Sequence, residues 1–282
     1  TRRVGGDCQI GTRKNLKKGI NFVMGDFSQH GIISNLHDFG TKTTADIEKE
    51  LVKFSIERKM ELILPSLYSE LKGDALPNIV KQISETKYLN HIIVGLDKAS
   101  KAEAVKAWKF FKKLKTPFTI LWNDGPRLKK LHEELKEKGL APSEMGKGRN
   151  VWYCIGMCIA RDEARSVALH DCDIKTYDRR MLAKLFYPVV NPFFNFEFCK
   201  GYYPRISNGK MNGRVARLLV FPLLNALEKT IGRSDYLDFM KSFKYPLAGE
   251  FSFRRNVLPE LRISSDWGIE AVSYTHLTLP TR

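Results

Sequence analysis

The chain has little that would serve a membrane or an oxidising compartment. No stretch approaches the ~20 apolar residues of a membrane-spanning helix; the longest run, Val215 to Leu224, is broken by Arg217 and Pro222. Cysteine is scarce and odd in number, with Cys8, Cys154, Cys158, Cys172 and Cys199 in 282 residues. Their scattered spacing offers no disulfide framework, and no second pair completes a zinc site with Cys154 and Cys158. Buried thiols of a cytoplasmic protein are the expectation. The basic N-terminus lacks the apolar centre of a signal peptide. Acid is in deficit, with 31 Asp+Glu against 47 Lys+Arg, a net charge of +16. What the chain does have is 43% hydrophobic residues. That is too apolar for a disordered basic tail and long enough for a full core. One large domain, or one with a sub-domain, is expected, with an anionic partner.

The two ends read differently from the middle. The chain starts at Thr1 without a methionine, which suggests a fragment. Residues 272–282 (Val-Ser-Tyr-Thr-His-Leu-Thr-Leu-Pro-Thr-Arg) have no helical period and resemble the translation of a sequencing-library adapter. They are set aside from fold reasoning. Without Arg282 the net charge becomes +15, of which residues 1–20 supply +5 through six bases and Asp7. That basic arm is expected to be loose.

From Thr43 onward the chain alternates helices and strands. Thr43-x-x-Asp46 is a capping box before Ile47, Leu51 and Phe54, which lie on one helical face. Met60 to Leu64 reads as a buried strand stopped by Pro65. A helix over 76–83, a strand over 91–96 and a helix over 101–114 follow. The apolar face of that last helix is read as Ala104, Val105, Trp108 and Phe111. Strand 118–122, helices 127–138 and 148–160, and strand 166–170 complete the series. This β-α-β-α spacing predicts an α/β fold with a mostly parallel sheet. Beyond it lie a strand-like alternation over 194–203, a helix over 215–227 and a strand over 250–254. Phe193, Phe194, Phe196 and Phe198 are expected in the core, and the lone histidines in structural roles.

Three places carry chemistry. Asp171-Cys172-Asp173 follows the apolar strand 166–170. Ligands collect at the carboxyl ends of strands in open α/β sheets. Two carboxylates at i and i+2 there suit a hard divalent cation, which in turn neutralises a diphosphate. Leu62-Ile-Leu-Pro-Ser-Leu-Tyr-Ser-Glu70 takes a strand through a polar turn into a helix, where amides and hydroxyls face a ligand. Gly146-Lys147-Gly148 precedes another helix, where backbone approaches a phosphate closely and Lys147 adds a compact charge. It lacks the spacing of a Walker A loop.

In that order, with Gly213-Arg214-Val215, Tyr245-Pro-Leu-Ala-Gly-Glu-Phe251 and Asp266-Trp-Gly-Ile-Glu270, these motifs resemble the glucosyl-3-phosphoglycerate synthase family. Those enzymes are retaining GT-A glycosyltransferases related to mannosylglycerate synthases. The resemblance covers about residues 60–270. It implies a GT-A fold in which Pro65, Ser66, Leu67, Tyr68, Glu70, Asp97, Lys147, Asp171 and Cys172 hold the sugar-nucleotide. It places Mg2+ or Mn2+ on Asp173 and Asp171, with Asp173 the stronger candidate. It gives Gly213 and Arg214 the acceptor phosphate, where a guanidinium fork suits the geometry. It sets Pro246, Leu247, Ala248, Gly249 and Glu250 beside the sugar, and Glu270 as a functional carboxylate with Asp173 and Lys147. The implied reaction moves glucose from UDP- or GDP-glucose to 3-phosphoglycerate with retention. The acceptor hydroxyl attacks on the face of the leaving group, whose phosphate oxygen takes the proton.

The implied organisation is a basic arm and helix over 1–58, a sugar-nucleotide half over 59–175, an acceptor half over 176–271 and a non-native tail over 272–282. A homodimer is a further expectation, and neither a membrane span nor a nucleic acid is expected. Two other readings stand beside it: another GT-A transferase, mannosyl or lipid-phosphate, and a basic nucleic-acid-binding protein. Lys200, Arg205, Lys210, Arg214 and Arg217, facing only Glu197, form the basic cluster expected around the acceptor loop.

Overall fold

The computed structural model describes residues 33–35, 42–194, 196–203, 206–207, 210–211, 215–243, 245–266 and 268–269. Strand β1 (Ile33–Asn35) is followed by helix α1 (Thr44–Phe54). The capping box that starts α1 forms as the sequence predicts: Thr43 Oγ1 accepts from Asp46 N, and Thr43 N donates to Asp46 Oδ2. Its buried face is Ile47 and Leu51.

Strand β2 (Met60–Leu67), helix α2 (Ala75–Ser84), strand β3 (Leu89–Asp97), helix α3 (Lys101–Phe111) and strand β4 (Phe118–Trp122) follow in alternation. Helices α4 (Pro126–Glu137) and α5 (Lys147–Arg161) lead to strand β5 (Ser166–Leu169) and helix α6 (Arg179–Val190). Strands β6 (Phe198–Lys200), β7 (Ile206–Ser207) and β8 (Lys210–Met211) come next. A π-turn over Ala216–Val220 runs into helix α7 (Phe221–Ile231), then helix α8 (Asp235–Ser242) and strand β9 (Phe251–Arg254).

Seven strands make one sheet in the order β1-β6-β9-β5-β2-β3-β4. All neighbours are parallel except β9, which runs against both β5 and β6. β7 and β8 pair separately as a short antiparallel ribbon. One apolar layer joins α1, α2 and α6 to one face of the sheet through Ile47, Leu62, Leu76, Ile92, Leu182 and Phe186. The other face packs α5 and α8 through Ile63, Val151, Cys154, Val167, Phe243 and Phe253. The four cysteines among the described residues are free and buried.

The structure departs from the sequence expectation at several places. β2 does not stop at Pro65 but runs on to Leu67, paired with β3 as far as Asp97. Ile63 accepts from His170 N, so Ile63 and, two residues on, Pro65 turn their main-chain groups to the β5 side. β5 pairs only as far as Ile63, so the missing proline N–H leaves no ladder bond unmade. On α3 the buried positions are Ala107 and Phe111, while Val105 and Trp108 are exposed. Trp108 carries the Lys112 ammonium 4.1 Å above its ring.

Phe193 and Phe194 are exposed, and only Phe196 and Phe198 enter the core, because regular strand begins at Phe198. The helix expected over 215–227 is a π-turn joined to α7, with Pro222 at the start of the α-helical part. A proline there lacks the N–H for a regular i→i−4 bond, which suits a widened turn before it. The carboxyl ends of β2, β3 and β5 and the start of β9 all open at one edge of this sheet, and the site lies there.

Candidate active site

A cavity of about 400 Å³ opens at that edge. Pro65, Ser66, Leu67 and Glu70 line it from β2 and the turn beyond. Asp97 and Lys98 line it from the end of β3, and Asp171, Cys172 and Asp173 from the end of β5. Lys147 reaches it from the first turn of α5. Nine of the residues expected to hold the donor and its cation therefore meet in one pocket. Tyr68 does not line it. It opens the 3-10 turn after β2, and its ring packs with Leu96, Ala99 and Ala107, with the Lys72 ammonium 5.3 Å from it.

Lys147 Nζ lies 2.6 Å from Asp171 Oδ1. The pair joins α5 to the end of β5 and sets a cation beside the Asp-x-Asp. Glu70 turns back on its own loop, where Oε2 accepts from Leu67 N at 3.0 Å. Burial raises the Glu70 carboxyl above its ordinary range despite that bond, with Asp173 and Asp171 adding to the effect. Burial likewise raises Asp97, against the Asn123 amide (2.9 Å) and Arg149 (3.5 Å) that favour its charged form. Cys172 is buried, and that burial pushes its thiol well above the ordinary value.

Arg149 and Asn150, two and three residues after Lys147 in the same motif, also face the pocket, where the sequence reading gives them no role. Asn150 Nδ2 donates to Gly95 O at 2.9 Å and ties α5 to β3. Their signal was local: they follow Gly146-Lys147-Gly148 on the same helix. Asp124, from the turn after β4, and Asp266 also line the pocket. Asp124 Oδ2 accepts from Ala99 N.

The glycines around Lys147 do something other than expected. The Gly148 amide donates to Asp266 O and the Arg149 amide to Ser265 O at 2.7 Å. A Cβ on Gly148 would lie 1.6 Å from Ser264 O. The close approach at the start of α5 is thus to the chain segment 264–266, and two of the helix's first amides are spent on it rather than on a phosphate.

The loop before β9 reaches the pocket edge through Gly249, where a Cβ would stand 2.2 Å from Asp171 Oδ2. Ala248, Gly249 and Glu250 are buried and Leu247 is half-buried, and none lines the pocket itself. Tyr203 Oη donates to Glu250 Oε2 in a short hydrogen bond. Lys200 is buried, and its Nζ donates to Ala248 O at 2.8 Å. It therefore holds this loop rather than joining a surface cluster of bases. Of the other bases in that expected cluster, Arg217 is exposed, and the side chains of Arg205, Lys210 and Arg214 lie outside the described residues. Gly213 and Glu270 also lie outside them.

The pocket is acid-rich. Glu70, Asp97, Asp124, Asp171, Asp173 and Asp266 face only Lys98, Lys147 and Arg149. Such a surface repels a diphosphate unless a cation intervenes. The oxygen-only pair Asp171 and Asp173 suits a hard divalent ion. No set of three or more His, Cys, Asp or Glu placed to hold a metal occurs among the described residues. Two carboxylates leave the other positions to water and ligand oxygens, as Mg2+ prefers.

Parallel strands ending at an Asp-x-Asp pocket, with one antiparallel strand beside the last of them, form the GT-A glycosyltransferase fold. Two curated relatives sharpen the comparison. The chain is 42% identical over 247 residues to glucosyl-3-phosphoglycerate synthase of Persephonella marina, covering 88% of this chain and 61% of that protein. It is 38% identical over 248 residues to the synthase of the same name from Methanococcoides burtonii, covering 87% and 60%. The chain thus spans about three-fifths of the length of the curated relatives it matches.

Among solved structures, glucosyl-3-phosphoglycerate synthase from Mycobacterium tuberculosis with Mn2+ and UDP-glucose aligns at a TM-score of 0.56 and 20% identity. That match covers 85% of this chain and 69% of that one. The same enzyme with phosphoglyceric acid aligns at 0.55 and 19%, covering 84% and 70%. No family model matches the chain. The likeness to glucosyl-3-phosphoglycerate synthases read from the motifs is found in both comparisons.

Proposed function

We propose that this chain carries the donor-binding part of a glucosyl-3-phosphoglycerate synthase, which moves glucose from a nucleoside-diphosphate glucose to 3-phosphoglycerate with retention. The observation that carries the reading is the Lys147–Asp171 contact in an acid-lined pocket at the carboxyl ends of β2, β3 and β5. The names of the two curated relatives support the acceptor and the sugar. The solved relative with UDP-glucose favours UDP over GDP.

In this reading residues 59–175 hold the donor and 176–271 the acceptor. Asp173 and Asp171 would hold a Mg2+ or Mn2+ ion, which would supply charge neutralisation at the diphosphate. Lys147 sets a second positive charge on the same side of the pocket, an electrostatic role preorganised by its contact with Asp171. Pro65, Ser66, Leu67 and Glu70 frame the nucleoside with Asp97, and Arg149 keeps Asp97 in place. Gly249 backs Asp171 at the edge of the pocket, on the side that the resemblance gives to the sugar. Arg214, Gly213 and Glu270 complete the acceptor side by resemblance. Among the described residues no helix is long and apolar enough to cross a membrane, and a cytoplasmic homodimer belongs to the same reading.

The test is release of nucleoside diphosphate from UDP-glucose and from GDP-glucose. It should require both 3-phosphoglycerate and a divalent metal in the protein extended to its relatives' length. Release that ignores the phosphoglycerate would refute the acceptor, and release that survives chelation would refute the metal.

A further inference from the structure

A second cavity, about 460 Å³, lies at the opposite end of the same sheet. It is lined by Arg58 just before β2, Arg165 and Ser166 at the start of β5, and Arg254 and Arg255 at the end of β9, with Glu57 the one carboxylate in the wall. The eight residues of β2 rise about 3.3 Å each, so roughly 20–25 Å of strand separates it from the first pocket.

Part of this basic wall is structural. Arg58 Nη1 donates to Val190 O and Arg254 Nε to Val189 O, so both cap the carbonyl end of α6. Arg255 Nη2 pairs with Asp162 at 2.6 Å. Arg254 Nη2 also donates to Phe194 O and Arg255 Nη2 to Ile159 O, and spare donors remain chiefly on Arg58 and Arg165. A guanidinium has five N–H groups, and Arg58 spends one of them among the described residues. Arg165 is exposed and makes no side-chain hydrogen bond or ion pair among them. Arg255 Nε and the buried Ser166 hydroxyl have no partner there either.

The carboxylates around the wall do not cancel it. Four guanidinium groups face Glu57, with Asp162 on Arg255 and Glu197 beyond it on the Asn256 amide, so the surroundings stay positive. Burial lowers the Arg254 guanidinium from its ordinary value, with the Arg58 charge adding to the effect and Glu197 opposing it.

We propose that this arginine-lined cavity is a binding site for a small phosphate dianion, either the free ion or a phosphate monoester, separate from the acid-lined pocket. Guanidinium forks match phosphate oxygens two at a time. A monoester carries about −1.5 to −2 at neutral pH, which complements the uncompensated charge. The volume falls within the ~300–1,000 Å³ of small-molecule sites.

The test titrates inorganic phosphate and glycerol phosphate into the protein at fixed ionic strength, with chloride as control, following the heat of binding and the phosphorus resonance. Lys147→Ala removes the ammonium of the first pocket and should leave this binding intact. Arg165→Glu should weaken it about tenfold or more, and Arg165→Lys, which keeps the charge without the fork, should weaken it less. Arg165 is exposed, so an unchanged Tm verifies that the variants fold. Tighter binding of the ester marks a phosphorylated metabolite as the ligand, and equal binding marks the free ion. Binding that survives Arg165→Glu, disappears in Lys147→Ala, or is matched by chloride would overturn the proposal. So would phosphate-independent self-association abolished by Arg165→Glu.

Discussion

Gly249 and Asp171 are packed so closely that a side chain on the glycine has nowhere to go: a Cβ there would stand 2.2 Å from Asp171 Oδ2. Two motifs 78 positions apart in the chain are joined by this contact. The loop before β9 sets where the first carboxylate of the Asp-x-Asp sits, and Lys147 holds that carboxylate from the other side.

Gly249→Ala is therefore expected to act through Asp171. Overpacking costs about 1–3 kcal/mol, and here the movable element is the carboxylate. Nucleotide-sugar affinity in the presence of Mn2+ should fall about tenfold, while the far-ultraviolet circular dichroism stays unchanged. Unaltered affinity would show that the loop does not position Asp171.

Lys200→Met tests the other support of that loop. It removes the ammonium that bonds Ala248 O in a buried setting. Losing a charged donor of this kind costs about 1.5–3 kcal/mol. A chain of this size should lose roughly 3–12 °C in Tm, since ~1 kcal/mol corresponds to about 2–4 °C. Lys200→Arg should restore part of the loss. An unchanged Tm in Lys200→Met would place the ammonium outside the stability of the loop.

His91 supplies a pH dependence away from the site. Burial lowers its pKa, with Arg161 adding to the effect, while Nε2 meets Thr119 Oγ1 at 2.9 Å. Below the ordinary histidine value of about 6.5 the unfolded chain takes up a proton that the folded chain resists. This contribution to stability is whole above that pH and is lost as pH falls below it. The Tm of His91→Gln should therefore fall less than that of the parent between pH 7 and pH 5. Parallel Tm curves for the two proteins would contradict this.

How much of this was legible in the sequence follows from how local each signal is. The capping box of α1, the strands β2 to β5 and the pocket residues that follow them rest on neighbours within a few positions. The strand ends gather in space because a parallel sheet brings all its carboxyl ends to one edge. What was not legible depends on distant partners. The glycine at 148 is small because Ser264 lies against it. Lys200 reads as a surface base until its carbonyl partner, Ala248, is in place. Trp108 and Val105 fit a helical period, but the sheet takes Ala107 and Phe111 instead. α6 carries Pro188 near its end, and sequence reasoning assigns no helix there.

The most direct measurement is the binding isotherm of UDP-glucose with and without Mn2+, for the parent protein and Asp173→Ala, which removes one lining carboxylate of the pocket. The acid-lined pocket predicts saturable binding that requires the metal and falls by about tenfold or more in the variant. Binding of equal strength without metal, or undiminished in Asp173→Ala, would contradict the assignment of this pocket to a metal-bridged nucleotide-sugar.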